Sequence, residues 1–350
     1  MKLRASYILL VLLSPVLIAA GPCGGKKGPS GTMAPPEAQT IASLLQLTTA
    51  PGYDGQPSFA PADETNTISE LVYTADAGLG TQLMVISARG TASRRLVTFS
   101  TGSSVDASPD FDPAGRRIAF CSDRLDGRFN IWVVNSDGSG LTQLTQFSTG
   151  AFDPQWSPDG KRIVFHALGA TGTAELYLVN ADGSGLTTLG PGWSACWRPD
   201  GKEIAFARTA PQGGVNIWTM TPEGGNVTQI TAERTQQWRP AWSPDGNALA
   251  YVSRPSGVAP KELKGVSDTQ VWLREKDERG EWSKAAQQIT FTQGINDNPD
   301  WAPDGKAIAF ESNRGGNVDI WVAELKVRAN LGPLPGGTPE RPSVVVPPWQ

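Results

Sequence analysis

Few side chains in this 350-residue chain could do chemistry. It holds one histidine, His166, and three cysteines, Cys23, Cys121 and Cys196. A lone histidine has no second imidazole with which to share a metal ion, and it completes no Ser-His-Asp arrangement with a separate ligand. Placed directly after Phe165 in an apolar run, it reads as a structural or solvated strand-end residue. No glycine-rich phosphate loop leads from a strand into a helix. The run Asn135 to Gly140 imitates the opening of a calcium loop, but Gln146 stands at the twelfth position, where a bidentate glutamate is needed. No metal or cofactor is therefore assigned. What remains is an acidic set, Asp54, Asp106 and Asp297, and an aromatic set, Phe152, Trp193 and Trp238, beside which stand Asp153 and Arg239.

These sets gain meaning from a repeat. The stretch Pro154 to Gly160 (PQWSPDG) returns as PSFAPA at Pro57, PDFDPAG at Pro109, ACWRPDG at Ala195, PAWSPDG at Pro240 and PDWAPDG at Pro299. Each copy is a strand running into a tight turn: an aromatic anchor, a proline that fixes φ, then in most copies Asp-Gly for the positive φ of a hairpin. Nine residues after anchors Phe111, Trp156, Trp197, Trp242 and Trp301 come Phe120, Phe165, Phe206, Tyr251 and Phe310, each ending an apolar triplet. Third strands follow at Ile131 to Val133, Leu176 to Leu178, Ile217 to Thr219, Val271 to Leu273 and Ile320 to Val322. Fourth strands follow at Leu141 to Thr145, Leu186 to Leu189, Val227 to Thr231 and Gln287 to Thr290. The first unit is the least regular, with Leu71 to Tyr73 displaced by an insertion around Asp63 to Asn66.

Four short strands per unit, with anchors 52, 45, 41, 45 and 59 residues apart, predict an all-β, six-bladed propeller over 44–325. The sixth unit has no fourth strand after Leu325, but Leu44 to Thr48 reads like Leu141 to Thr145. The step from strand-ending threonine to the next anchor is eleven residues at Thr48, Thr145, Thr231 and Thr290 alike. The amino-terminal segment is therefore expected to complete the last blade and remove an open sheet edge.

Aligning the crossings by their anchors brings the acidic and aromatic sets together. Four residues before the anchor stand Phe152, Trp193 and Trp238 in blades three to five and Asp297 in blade six; one position earlier stand Asp54 and Asp106 in blades one and two. This predicts a tunnel mouth with an aromatic half and an acidic half, Arg239 and Asp153 lying beside the aromatics. Such a ledge suits a peptide, a protein loop or a sugar ring. The competing reading is that the aromatics pack between blades and the carboxylates accept backbone N–H bonds. The turns between first and second and between third and fourth strands share one face. The variable loops share the other, including the insertion Ser256 to Thr269, while Lys276 to Lys284, with Trp282, interrupts the uniform turn face.

The chain opens with two positive charges in Met1 to Arg4 and an apolar run, Tyr7 to Ala20, broken by Pro15. This is too short for a membrane span and predicts a secretory signal over 1–22. Cys23 follows as a candidate lipidation site, although Pro22 departs from the small-residue box of bacterial lipoprotein signals; a free cysteine is the other reading. Residues 23–43 read as a flexible tether and the proline-rich 326–350 as an extended tail. A net charge of -4 gives no footprint for nucleic acid. Cys121 and Cys196 fall on non-adjacent blades, which predicts two buried thiols and no bridge.

The pattern Pro154 to Phe165 (PQWSPDGKRIVF), with Asn130 to Val133 and Leu141 to Thr145, resembles the TolB-type propeller repeat. The resemblance covers Leu44 to Leu325. It implies the fold, and it implies roles as a docking surface or gate, since the repeat serves in periplasmic TolB, in tricorn protease and in relatives of prolyl oligopeptidase. TolB's amino-terminal α/β domain and the peptidases' hydrolase domain have no counterpart expected here, and no catalytic residue carries over. The expectation is a monomeric, non-enzymatic propeller of the periplasm or cell envelope, anchored through Cys23 and binding a protein or peptide. The alternatives are a carbohydrate-active lyase or hydrolase using Asp54, Asp106 and Asp297, or a purely structural envelope protein.

Overall fold

The computed structural model describes residues 40–62, 70–88, 93–95, 103–169, 172–233, 235–254 and 268–326. The signal segment, Cys23, the tether up to residue 39, the tail from 327, the Asp63 to Asn66 insertion and most of the blade-five insertion lie outside them.

Among the described residues every element is a strand, and the strands form six four-stranded antiparallel sheets. Five sheets are built from consecutive strands; the sixth is ordered Ile41–Gln46, Asp319–Leu325, Ala307–Ser312, Asn296–Trp301. The amino-terminal strand thus closes the ring, with Leu44 opposite Ala323 and Gln46 opposite Trp321. It begins earlier and ends sooner than expected; beyond Gln46, Leu47 N still donates to Ile320 O at 2.8 Å, and the Thr48 hydroxyl takes the Ile320 N–H.

The closing bonds show why the register holds. In blade two, Thr145 Oγ1 accepts the Ile131 N–H at 2.9 Å and donates to Asn130 Oδ1 at 3.0 Å. In blade six, Thr48 Oγ1 accepts the Ile320 N–H at 2.9 Å and donates to Asp319 Oδ1 at 3.2 Å. Thr231 and Thr290 accept from Ile217 and Val271 in the same way, both at 2.9 Å. This hydroxyl also explains why three fourth strands are shorter than predicted, reduced to Thr142–Gln143, Thr228–Gln229 and Gln287–Gln288. The threonine side chain takes over the third strand's N–H, so the backbone leaves the ladder early. In blade three, without such a threonine, the strand runs Thr187–Pro191.

The apolar cores lie between blades. One joins Ala119, Ile131 and Val133 of blade two to Trp156, Ile163 and Phe165 of blade three. Another joins Leu178 of blade three to Trp197, Ile204 and Phe206 of blade four. Cys121 and Cys196 are buried free thiols. On the turn face, guanidinium groups stack on the next anchor, with Arg117 4.3 Å over Trp156 and Arg162 5.1 Å over Trp197.

Candidate functional site: the channel and its mouth

Each inner strand carries the same irregularity three residues before its anchor. Gln56, Ser108, Asp153, Ser194, Arg239 and Asn298 all have φ between 48° and 54°. The ladder register shifts at this point in all six inner strands, which marks a β-bulge. A left-handed conformation costs an ordinary residue about 1–2 kcal/mol, and the bulge turns that side chain toward the axis. Five of the six precede a proline, whose ring disfavours the right-handed helical alternative. The bulge residues and the two that follow each of them line an axial cavity of about 110 Å³.

A charged network spans its upper part. Asp153 accepts from Ser108 Oγ at 2.8 Å and Ser194 Oγ at 3.3 Å, and lies 3.9 Å from Arg239 Nη1 and 3.7 Å from His166 Nδ1. Arg239 Nε lies 3.3 Å from Asp297 Oδ1. Glu311, opposite Asp297 on the neighbouring strand, accepts from the Tyr53 hydroxyl and the Gln56 N–H, each at 2.9 Å. Gly55 makes this crowding possible, because a β-carbon there would collide with the Tyr53 hydroxyl and the Glu311 carboxylate.

Burial sets the electrostatics. It pushes Glu311 up to about 7, helped by the neighbouring Asp297 charge, and it raises Asp297 against the pull of Arg239. Burial would raise Asp153 too, but Arg239, His166 and the two serine hydroxyls outweigh it and hold this carboxylate below its usual range. For His166, burial lowers the pKa despite Asp153. Below the network, burial lifts Asp300 to about 7 and Asp110 well above its ordinary value.

The residues expected at the mouth divide by role. Phe152 and Trp238 are only 6% and 8% exposed and pack between blades, while Trp193 is half-buried against the same small core as Trp238. Phe152 lies 5.2 Å from Phe129 and 5.6 Å from His166, ring to ring. Asp106 is tied inside its own blade to Ser122 Oγ and Arg124 Nη2, both at 2.7 Å. Asp54 is buried at the boundary between blades six and one, hydrogen-bonded to Thr48 and pushed to about 6 by burial. Of the eight, Asp153, Arg239 and Asp297 come together in one cluster.

His166, Glu311 and Tyr53 belong to the same cluster, and the sequence reading did not place them there. A signal existed: the residue after each second-strand aromatic is Thr74, Cys121, His166, Ala207, Val252 or Glu311, and each pairs with the position four before an anchor. Three leucines on the loop face were also not singled out. Leu79 and Leu125, from the second-to-third connections of blades one and two, and Leu168, the last residue of blade three's second strand, are 61%, 72% and 41% exposed.

Residues 141–284 match the family model described as a TolB beta propeller domain. An uncharacterized protein of Agrobacterium fabrum is 32% identical over 80 residues, which is 23% of this chain and 22% of that protein's length. Among solved structures, a protein of Agrobacterium tumefaciens assigned as TolB superposes with a TM-score of 0.61 at 20% identity, over 81% of this chain and 97% of the other. TolB of Acinetobacter baumannii gives 0.54 at 16% identity over 73% of this chain and 59% of its own. An oligogalacturonate lyase in complex with manganese gives 0.54 at 16% identity over 82% and 96%. The fold is thus shared with TolB proteins and with a lyase. The six blades of this chain form a β-propeller, and its stretch 141–284 carries the match to the TolB propeller domain.

Proposed function

We propose that the propeller is a non-catalytic scaffold that docks a protein or peptide partner at the bacterial cell envelope. The observation that carries this reading is the set of exposed leucines Leu79, Leu125 and Leu168 at the loop-face ends of three consecutive blades, of which Leu79 and Leu125 are the two most exposed large apolar side chains among the described residues; Leu141, Leu186 and Val227 are exposed at the starts of fourth strands. Apolar side chains exposed on variable loops suit an association surface. The channel supports the same reading, since about 110 Å³ is well below the roughly 300–1,000 Å³ of small-molecule pockets. The described chain ends fit as well. Thr40 O accepts the Lys326 N–H, and Leu325 N donates to Lys306 O beside the Asp304-Gly305 turn, so both ends leave from the turn face. A tether held at Cys23 would turn that face to the membrane and leave the leucine face open to a partner.

A photo-crosslinking residue at position 125 tests this in cells, with position 186 on the outer rim as the control. A defined partner adduct at 125, abolished by Leu79→Ser with Leu168→Ser, is expected; equal labelling at both positions would refute the assignment.

A second reading has its own observation. Asp110 and Asp300 both line the channel, and burial raises both, Asp300 to about 7, which is the direction that suits a general acid. Two solved structures with this fold are oligogalacturonate lyases and one is a gluconolactonase. Turnover of oligogalacturonate or an aldonolactone that disappears in Asp300→Asn would establish this reading over docking alone.

A further inference from the structure

Around the channel, blades are joined by one recurring device, in which a side-chain oxygen of one blade accepts a backbone N–H from the inner strand of the next. Gln56 Oε1 accepts from Ser108 N at 2.9 Å between blades one and two. Gln155 Oε1 accepts from Trp197 N at 2.6 Å between three and four, and a single carboxyl, Asp110 Oδ2, accepts from Trp156 N at 2.7 Å between two and three. At the joint between blades six and one both acceptors are carboxyls. Asp300 Oδ2 takes the Phe59 N–H at 2.7 Å, and Glu311 Oε2 takes the Gln56 N–H at 2.9 Å.

We propose that this closing joint is a proton-dependent latch, firmest while Asp300 and Glu311 are neutral and looser once they ionise. The amide-built joints show that a neutral oxygen suffices for the bond, and a protonated carboxyl still offers its carbonyl oxygen to an N–H. Each N–H bond favours the ionised carboxyl, but burial outweighs it, so that ionisation is disfavoured in the closed joint and relieved when the joint opens to water. Glu311 then faces Asp297 and the Tyr53 hydroxyl, with Arg239 as the cation, and Arg239 also serves Asp153. Asp300 faces Asp110, half-buried like itself, and the Cys196 thiol. Asp54, at the same joint, faces Asp319 and Asp76.

Burial lifts Asp300 and Glu311 to about 7, from ordinary values of 3.8 and 4.5. A carboxyl whose pKa is raised by folding binds its proton more tightly in the folded state. Its contribution is complete below the unfolded pKa and disappears as pH rises through the folded one. The latch therefore weakens between about pH 4 and about pH 7, each carboxyl changing the opening equilibrium by roughly tenfold for every step of one in pH across that window.

Site-resolved amide hydrogen exchange on the intact chain, corrected for intrinsic rates, tests this between pH 5.5 and 8. Protection at Gln56 and Phe59 should fall on the order of tenfold or more relative to Ser108 and Trp197. Asp300→Asn with Glu311→Gln gives the joint the amide chemistry of its neighbours and should flatten the difference. The reverse change, Gln155→Glu, should impose the same fall on Trp197. Parallel profiles at all four amides in the unaltered protein would overturn the proposal, as would a profile that survives the double substitution. Should that variant not fold, the unaltered protein and Gln155→Glu decide the matter.

Discussion

Blade two takes its outer strand from the residues that follow its third, and blade six takes its own from the opposite end of the chain. The two are bonded alike: Thr145 to Ile131 in one, Thr48 to Ile320 in the other, each at 2.9 Å. What separates them is connectivity. Blade two's strand is held close by a short turn whether or not the ring is complete. Blade six's strand has been brought across the whole sequence, at an entropic cost that only a finished ring repays. The joint that this closure creates is also the one where both backbone N–H acceptors at the channel are carboxyls. Local geometry is thus shared, and the closure differs in its connectivity and in having two carboxyl acceptors where the joint between blades two and three has one, Asp110.

The largest test of that contrast is removal of everything through Thr48. Ile41 and Leu47 are 7% and 6% exposed, and burial of aliphatic side chains is worth about 1.5–3 kcal/mol each. With the Thr48 bonds added, the loss approaches roughly 5 kcal/mol, comparable with the whole stability of many domains. The truncated chain is expected to lose its cooperative calorimetric transition, and a melting curve matching the full chain would break the comparison.

Next in size are two indoles that the repeat treats differently. Trp156 is an anchor and Trp238 stands at the mouth position, yet they are 4% and 8% exposed. Both Trp→Ala changes should cost about 3–5 kcal/mol in chemical denaturation. A cost under about 1 kcal/mol at Trp238, in the range of surface positions, would return that ring to the mouth. Gly55→Ala comes third, at about 1–3 kcal/mol, because the new methyl must displace Tyr53 or Glu311. The same change at Gly78, where nothing lies within 4 Å of the added carbon, meets no such clash and pays only for its positive φ of 84°.

The repeat was legible because its signals are local: a proline, an Asp-Gly turn and an aromatic anchor at fixed offsets. The ring closure was legible from one spacing, since Thr48 must do for Phe59 what Thr145 does for Trp156. The directions of the mouth side chains were not legible. Reading inner strands with a period of two fails at a bulge, where two residues oppose one and the alternation slips, so Phe152 and Trp238 enter the interblade core. Nor does any local pattern join Tyr53, His166, Arg239 and Glu311, which come from four blades and meet only once the ring exists.

The smallest effect is the most direct comparison of the two blades. Thr48→Val and Thr145→Val keep side-chain shape while removing the hydroxyl that accepts a third-strand N–H, leaving a buried donor unpaired at a cost of about 1–3 kcal/mol. Since both hydroxyls are buried and both N–H bonds are 2.9 Å long, the equilibrium costs should agree within about 0.5 kcal/mol. Kinetics should separate them. If the closing strand docks last, its contacts are absent from the folding transition state, so Thr48→Val should accelerate unfolding and leave refolding unchanged, while Thr145→Val slows refolding. A chevron pair in which both variants shift the same arm by the same amount would mean that closure and local blade formation are one event, and that connectivity leaves no trace in how the ring is held.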